Sequence, residues 1–270
     1  MKKTFIMLAA VCLLASCNGQ KQQKNAAVAE STKSFEQEQI EANIKLQIDS
    51  LAAAFARMGN IPFMASLMQG ELVLSEQEKQ VKPEYLLDLT AVNDLITLSQ
   101  KYRAVALVEA DKVIAKAYDM PLDEYDAAMQ KLVIDIDDAA FKVFIEEADT
   151  MAHADLVEKF YNAENENGRI NFFWDTTTSY MVEQLYIISQ DANSKFIDSF
   201  TDEAASDITY RIILFQDALE CLKDYVPELT ELCEAIRPLN KLNAISVDQL
   251  KSQLAEMNEE IKDIRNGLLK

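Results

Sequence analysis

The chain reads as an all-α protein, a helical bundle of long amphipathic helices with short connecting helices, and three observations predict it. Glycine and proline are scarce, five of each in 270 residues, whereas strands and hairpins need frequent turn residues. Apolar residues recur at threes and fours rather than in alternation, which gathers them on one face of a helix. Ser34, Ser75 and Ser246 each stand three residues before a Glu or Gln, the pattern in which a serine and the later side chain cap a helix start reciprocally.

The first helix is expected to open at Ser34 with Gln37 and to carry Ile44, Ile48, Leu51, Phe55 and Met58 as one buried stripe up to Gly59. Pro62, Gly70 and Pro83 break the chain between residues 61 and 89, so short helices and turns follow, one of them capped by Ser75 and Glu78. A long helix then opens near Thr90 and runs to about Tyr118, where Met120-Pro121 ends it. Pro121 begins the next, which runs to about Ile134, and after three aspartates another extends from Ala139 to about Asn162. Residues 162 to 168 read as a polar loop, and a helical pattern resumes over 170 to 190. The helix starting near Thr201 places Ala205, Ile208, Ile212, Phe215, Leu219 and Leu222 at helical spacing, and its apolar run Ile212-Ile213-Leu214-Phe215 marks it as the central element. The last helix, capped by Ser246 and Gln249, sets Val247, Leu250, Leu254, Met257, Ile261, Ile264 and Leu268 on one seam. That seam docks on its own bundle or on the same helix of a second copy, making a homodimer.

Residues 34 to 270 are expected to form a single all-helical domain, with no internal repeat, long enough to bury a sizeable core. What precedes them has another character. Lys2 and Lys3 lead into an apolar run over residues 5 to 15, too short to span a bilayer but suited to a secretory leader, and the run ends in Leu14-Ala15-Ser16-Cys17. This closing tetrapeptide resembles the lipobox of bacterial lipoproteins. The resemblance implies cleavage before Cys17, a diacylglyceryl group on its sulfur and acylation of the new amino terminus. Residues 1 to 16 are then a signal peptide, and residues 17 to 33, polar and without apolar periodicity, a lipidated and flexible tether. Lys82-Pro83-Glu84-Tyr85, the segment 98 to 103 and Asn167-Gly168-Arg169-Ile170-Asn171 resemble pieces of helical lipoproteins of Bacteroides-type bacteria, a likeness that implies no activity. Asn18-Gly19-Gln20 lacks the aspartate of inner-membrane retention and the acidic run of surface export. By that analogy the anchor sits in the outer membrane with the body facing the periplasm.

Charge divides unevenly along the chain. Five of the 26 basic residues and one of the 45 acidic ones precede residue 34, leaving 21 basic against 44 acidic in the body, a net of −23. Such a body is repelled by phosphate backbones and anionic lipid, which disfavours nucleic acid as a partner and stands the domain off its membrane. Cys12 leaves with the leader and Cys17 is acylated, so Cys221 and Cys233 remain in a compartment where disulfides persist. Flanking Pro227, they either form one bridge, contributing about 3 kcal/mol for a loop of this size, or stay as two buried thiols.

Chemistry is sparsely written. His153 is the sole histidine; on a continuous helix it lies one turn after Asp149 and two after Glu146, a spacing that faces all three one way and could hold a divalent metal, against a surface or capped histidine. The acidic residues 119 to 138 lack the glycine of a calcium loop and read as caps and a solvated face. Phe172, Phe173, Trp174 and Tyr180 lie in an aromatic cluster that is either core or a ligand surface. Phosphate-cradling loops, a serine elbow and paired metal-binding cysteines are missing from the sequence, so no cofactor is implied. The expectation is a lipid-anchored, non-enzymatic envelope lipoprotein whose acidic body meets a protein partner or serves structurally, with small-ligand or divalent-cation binding as the alternative.

Overall fold

A computed structural model describes residues 35 to 148 and 151 to 270. Cys17 with its leader and tether, Ser34 of the first capping pair, and Asp149 lie outside the described residues. Among those described, the secondary structure is helical throughout, as the glycine-poor sequence predicts.

Helix α1 (Phe35–Met58) ends at Gly59, whose φ of +66° is a left-handed turn that suits glycine. Arg211 closes that end, donating to the carbonyl oxygens of Met58, at 2.6 Å, and of Gly59. Helix α2 (Pro62–Gln69) starts on its proline and stops at Gly70 in the left-handed region. The short α3 (Glu76–Gln80) carries the expected Ser75–Glu78 capping box. Helix α4 (Leu98–Ala117) opens at Thr97, not near Thr90: a separate 3-10 turn over Leu89–Asn93 is capped by Asp88, and Thr97 and Gln100 then form the true capping box. Helix α5 (Asp123–Ile136) ends at Asp137, in the left-handed region.

The single helix expected between residues 139 and 162 is two. Helix α6 (Ala139–Glu147), capped by Asp138, and α7 (His153–Glu166) pack against each other, stapled by Phe144 stacked on Phe160 at 4.4 Å and Phe141 beside Phe160 at 5.6 Å. The supposed polar loop after residue 162 is mostly the last turn of α7, with Gly168 at φ +70° making the turn into α8 (Ile170–Ile188). Beyond it lie α9 (Ser194–Ile197), α10 (Asp202–Leu222, capped by Thr201), α11 (Thr230–Ile236) and α12 (Val247–Gly267, capped by Ser246).

The central element is α8, not α10. Fifteen of the 19 residues of α8 are buried, polar ones included, whereas Tyr210 and Ile213 of α10 are about half exposed. Helices α4, α7 and α12 pack directly on α8. Helices α4 and α8 run parallel, because Arg103 pairs with Asp175 and, eight residues further along both helices, Asp111 lies beside Glu183. The apolar seam of α12 docks on its own bundle: Leu250, Leu254, Ile261 and Leu268 are sealed in the core.

Candidate functional site

Of the four aromatic residues weighed as core or ligand surface, Phe173 and Trp174 are core, and Phe172 and Tyr180 are partly buried against it. Phe173 and Trp174 are fully buried, meet edge to face at 5.1 Å, and engage Phe55 and Phe215 in the same manner. Phe172 lies flat on Tyr102 at 4.4 Å. Tyr180 borders an internal void of about 20 Å³, shared with His153, Thr177, Gln184 and Arg211, which is room for about one water molecule. The rings here supply packing energy and no open pocket.

The metal spacing is broken as well. His153 is the first residue of α7, while Glu146 belongs to α6 on its solvent side, near Lys142. The chain departs from one helix between them, so the turn-by-turn alignment that spacing promised is lost. Burial, with the Arg211 charge adding to it, holds the imidazole below its ordinary pKa, and its Nε2 is buried without a hydrogen-bond partner. Among the described residues no three His, Cys, Asp or Glu side chains stand close enough to share an ion. Cys221 and Cys233 are free thiols. The buried Cys233 sulfur instead accepts from Gln216 Nε2 at 3.3 Å, and burial raises both thiols above their usual range. Such thiols are poor nucleophiles.

A concavity that gathers polar groups lies between α1 and α7. It is a groove of about 610 Å³ with Ala52, Ala53, Ala56 and Ala154 among its lining residues. Small side chains on both helices keep that interface open. Asp49 and Tyr161 meet across it, the phenol donating to Asp49 Oδ1 at 2.5 Å, and burial together with that carboxylate pushes the phenol pKa upward. Asn162 and Asn165 add amides, Glu158 and Glu166 carboxylates, and Lys45 and Arg57 cations. The groove can therefore offer donors and acceptors to a chain laid along it. It contains no nucleophile held by a base, the pairing that covalent catalysis requires.

Three buried charge centres, none anticipated from the sequence, lie around α4 and α8. Arg103 Nε donates to Asp175 Oδ1 at 2.6 Å; burial raises that carboxyl and Arg103 opposes the rise. Arg265 of α12 grips Glu183 through two bonds, at 2.9 and 3.1 Å, and approaches Asp111 Oδ2 at 3.5 Å while lying over the Tyr186 ring. Two carboxyls face one guanidinium there, and burial with the Glu183 charge drives Asp111 well above the usual carboxylate range. The third centre joins Tyr102, Asp138, Glu164 and Arg169. The signal for these residues was a charged residue on an otherwise apolar face, as Asp111 is between Val108 and Ile114, although that pattern does not tell which partner meets it.

Among the described residues the arrangement defines an all-helical bundle pinned by buried carboxylate–arginine contacts, with a polar groove between α1 and α7. Comparison with protein-family models, with curated proteins and with solved structures yields no match for this chain. Its function is therefore argued from its own residues.

Proposed function

We propose that the protein is a lipid-anchored, non-enzymatic envelope lipoprotein whose acidic helical body binds a protein partner along the α1–α7 groove, anchored in the outer membrane and facing the periplasm. The observation that carries this reading is the tetrapeptide Leu14-Ala15-Ser16-Cys17 at the end of a short apolar run, followed by a polar stretch before the first helix at Phe35. Two or more acyl chains on Cys17 would give long-lived attachment, each buried methylene contributing roughly 0.8 kcal/mol. No single described helix is long and apolar enough to cross a membrane. The groove supports the binding half of the reading. Its amides and mixed charges suit an extended polypeptide, and the net negative charge of the body favours a neutral or basic one.

Anchoring is tested by feeding labelled palmitate to cells producing the full chain. Label is expected on the wild type and absent from Cys17→Ala; equal labelling of both refutes the anchor. Binding is tested by placing a photo-crosslinking side chain at Asn162 in intact cells. One defined adduct is expected, and Ala53→Trp, which fills the groove from an exposed position, should abolish it. An adduct indifferent to that substitution would place the partner elsewhere.

A further inference from the structure

The third charge centre is built unlike an ordinary ion pair. Asp138 caps α6, and its Oδ1 accepts from the Ala140 and Phe141 amides at 2.8 and 3.1 Å. Its Oδ2 accepts from the Tyr102 hydroxyl at 2.7 Å and meets Arg169 Nη2. Four donor groups thus hold that carboxylate in place. Glu164 is fully buried beside it, and neither of its oxygens has a hydrogen-bond donor; the nearest cation atom, Arg169 Nε, stands 3.4 Å away. Two carboxyls therefore share one guanidinium in a site beside the Phe141 and Phe160 rings. They can lie side by side only with one proton between them.

Position decides which carboxyl carries that proton. Asp138 sits at a helix N-terminus, where the backbone dipole and free amides favour an anion, whereas Glu164 lies in the last turn of α7, where the dipole opposes one. We propose that the Asp138–Glu164 carboxyl pair is a proton-operated latch: the shared proton locks α6 and α7 onto α4 and α8, and its loss releases them.

The groups facing Glu164 are few. Tyr102 comes from α4, Asp138 from the α5–α6 junction and Arg169 from the turn into α8. From α6, Lys142 pairs with Glu146 at the surface and Glu147 with Lys159, while Asp49 of α1 is bound to Tyr161. Burial first, and then the Asp138 charge, push Glu164 up to about 7, with Arg169 opposing. For Asp138, burial raises the carboxyl, but the Tyr102 hydroxyl, the backbone amides and Arg169 outweigh it, leaving the group below the usual range. A carboxyl raised in the folded state holds its proton fully below its unfolded value of 4.5, and the stability it confers is lost as pH rises towards and through 7. Helix α7 is also a wall of the α1–α7 groove, so the shape of the groove follows the same proton if the groove is the binding surface proposed above. The latch itself does not depend on that reading.

Amide hydrogen exchange of the full chain at pH 5.5 and 8.5, corrected for intrinsic rates, tests the latch without reference to any partner. Protection of α6 and α7 is expected to fall by about 30-fold over that interval, with that of α10 changing far less. Glu164→Gln, which keeps a donor towards Asp138 without a titrating group, should hold protection high and flat. A flat wild type, or a Glu164→Gln variant that keeps the original slope, overturns the proposal. Should that variant fail to fold, Asp138→Asn gives the same decision: removing the neighbouring charge must move the transition to lower pH, and an unmoved midpoint overturns the latch.

Discussion

Arg265 holds two carboxyls with one charge, and the two are not equivalent. Glu183 receives both guanidinium bonds, while Asp111 receives the Leu87 amide at 2.6 Å and only a 3.5 Å approach from Arg265. Asp111 is thus the carboxyl that takes up a proton, and an amide in its place keeps the shape while losing little. Asp111→Asn should cost less than about 1 kcal/mol, whereas Arg265→Met strands a buried carboxylate and should cost about 3–5 kcal/mol. Urea unfolding at pH 7 separates these values, and similar losses for both would show that Asp111 is ionised. His153 titrates in the opposite sense. Its folded-state pKa is depressed by burial and Arg211, so the folded state disfavours the proton. Stability therefore rises with pH through the interval between that depressed value and 6.5, and is diminished below it. In His153→Asn the acid-side loss should shrink, and the measurement is Tm against pH between about 4.5 and 7 in both proteins. An unchanged slope would place the loss on other groups.

At the scale of the element, helix ends decide more than helix middles. Thr97 accepts from the Gln100 amide at 3.2 Å and Gln100 returns a bond to the Thr97 amide at 2.8 Å, so α4, which packs on α8, is fixed at its start by one threonine. Thr97→Ala should cost about 1 kcal/mol, and exchange should quicken in the first turn of α4 before it does elsewhere. Uniform loss across α4 would mean that this end is not the weak point. The same caps explain what could be read from the sequence. Ser75, Thr201 and Ser246 announced their helices, because a cap is a local arrangement between residues three apart. Thr97 is the less evident start, because Thr90 stands earlier in the sequence, but Thr90 belongs to a 3-10 turn held by Asp88. The break between α6 and α7 has no local sign: no glycine or proline lies between residues 139 and 162, and the stacking of Phe144 on Phe160, with Phe141 tilted beside it, favours reversal of the chain. The sequence does not mark helix α8 as the centre, because its buried face includes Asp175, Thr176, Thr177 and Glu183. Thr176 and Thr177 donate back to the carbonyls of Phe172 and Phe173, each at 2.8 Å, and the two acids are met by arginines. Hydropathy cannot distinguish such residues from exposed ones. The groove was equally hidden, since alanines on α1 become a floor only when α7 is placed beside them.

Across the whole molecule the balance is between a neutralised interior and a charged exterior. The buried centres set carboxyls against arginines, but the body still carries a net charge of −23, most of it at the surface. Surface pairs such as Lys241–Glu260 at 2.7 Å and Lys131–Asp135 at 2.6 Å oppose that excess locally. Each is worth about 0–1 kcal/mol and is itself weakened by salt. The unpaired excess repels over longer distances, and this repulsion is screened once the Debye length falls to about 8 Å at physiological ionic strength. Salt therefore has two opposing effects on this fold, a loss from exposed pairs and a gain from relief of net repulsion. With 44 acidic residues against 21 basic ones in the body, the basic side chains are exhausted in pairing before half the acids are matched, so relief is the larger effect. Raising sodium chloride from about 20 to 300 mM should increase Tm by a few degrees, and most of the increase should arrive below about 150 mM, where screening changes fastest. A fall in Tm over that range would mean that the exposed pairs, and not the excess of carboxylates, govern the surface energetics of the domain.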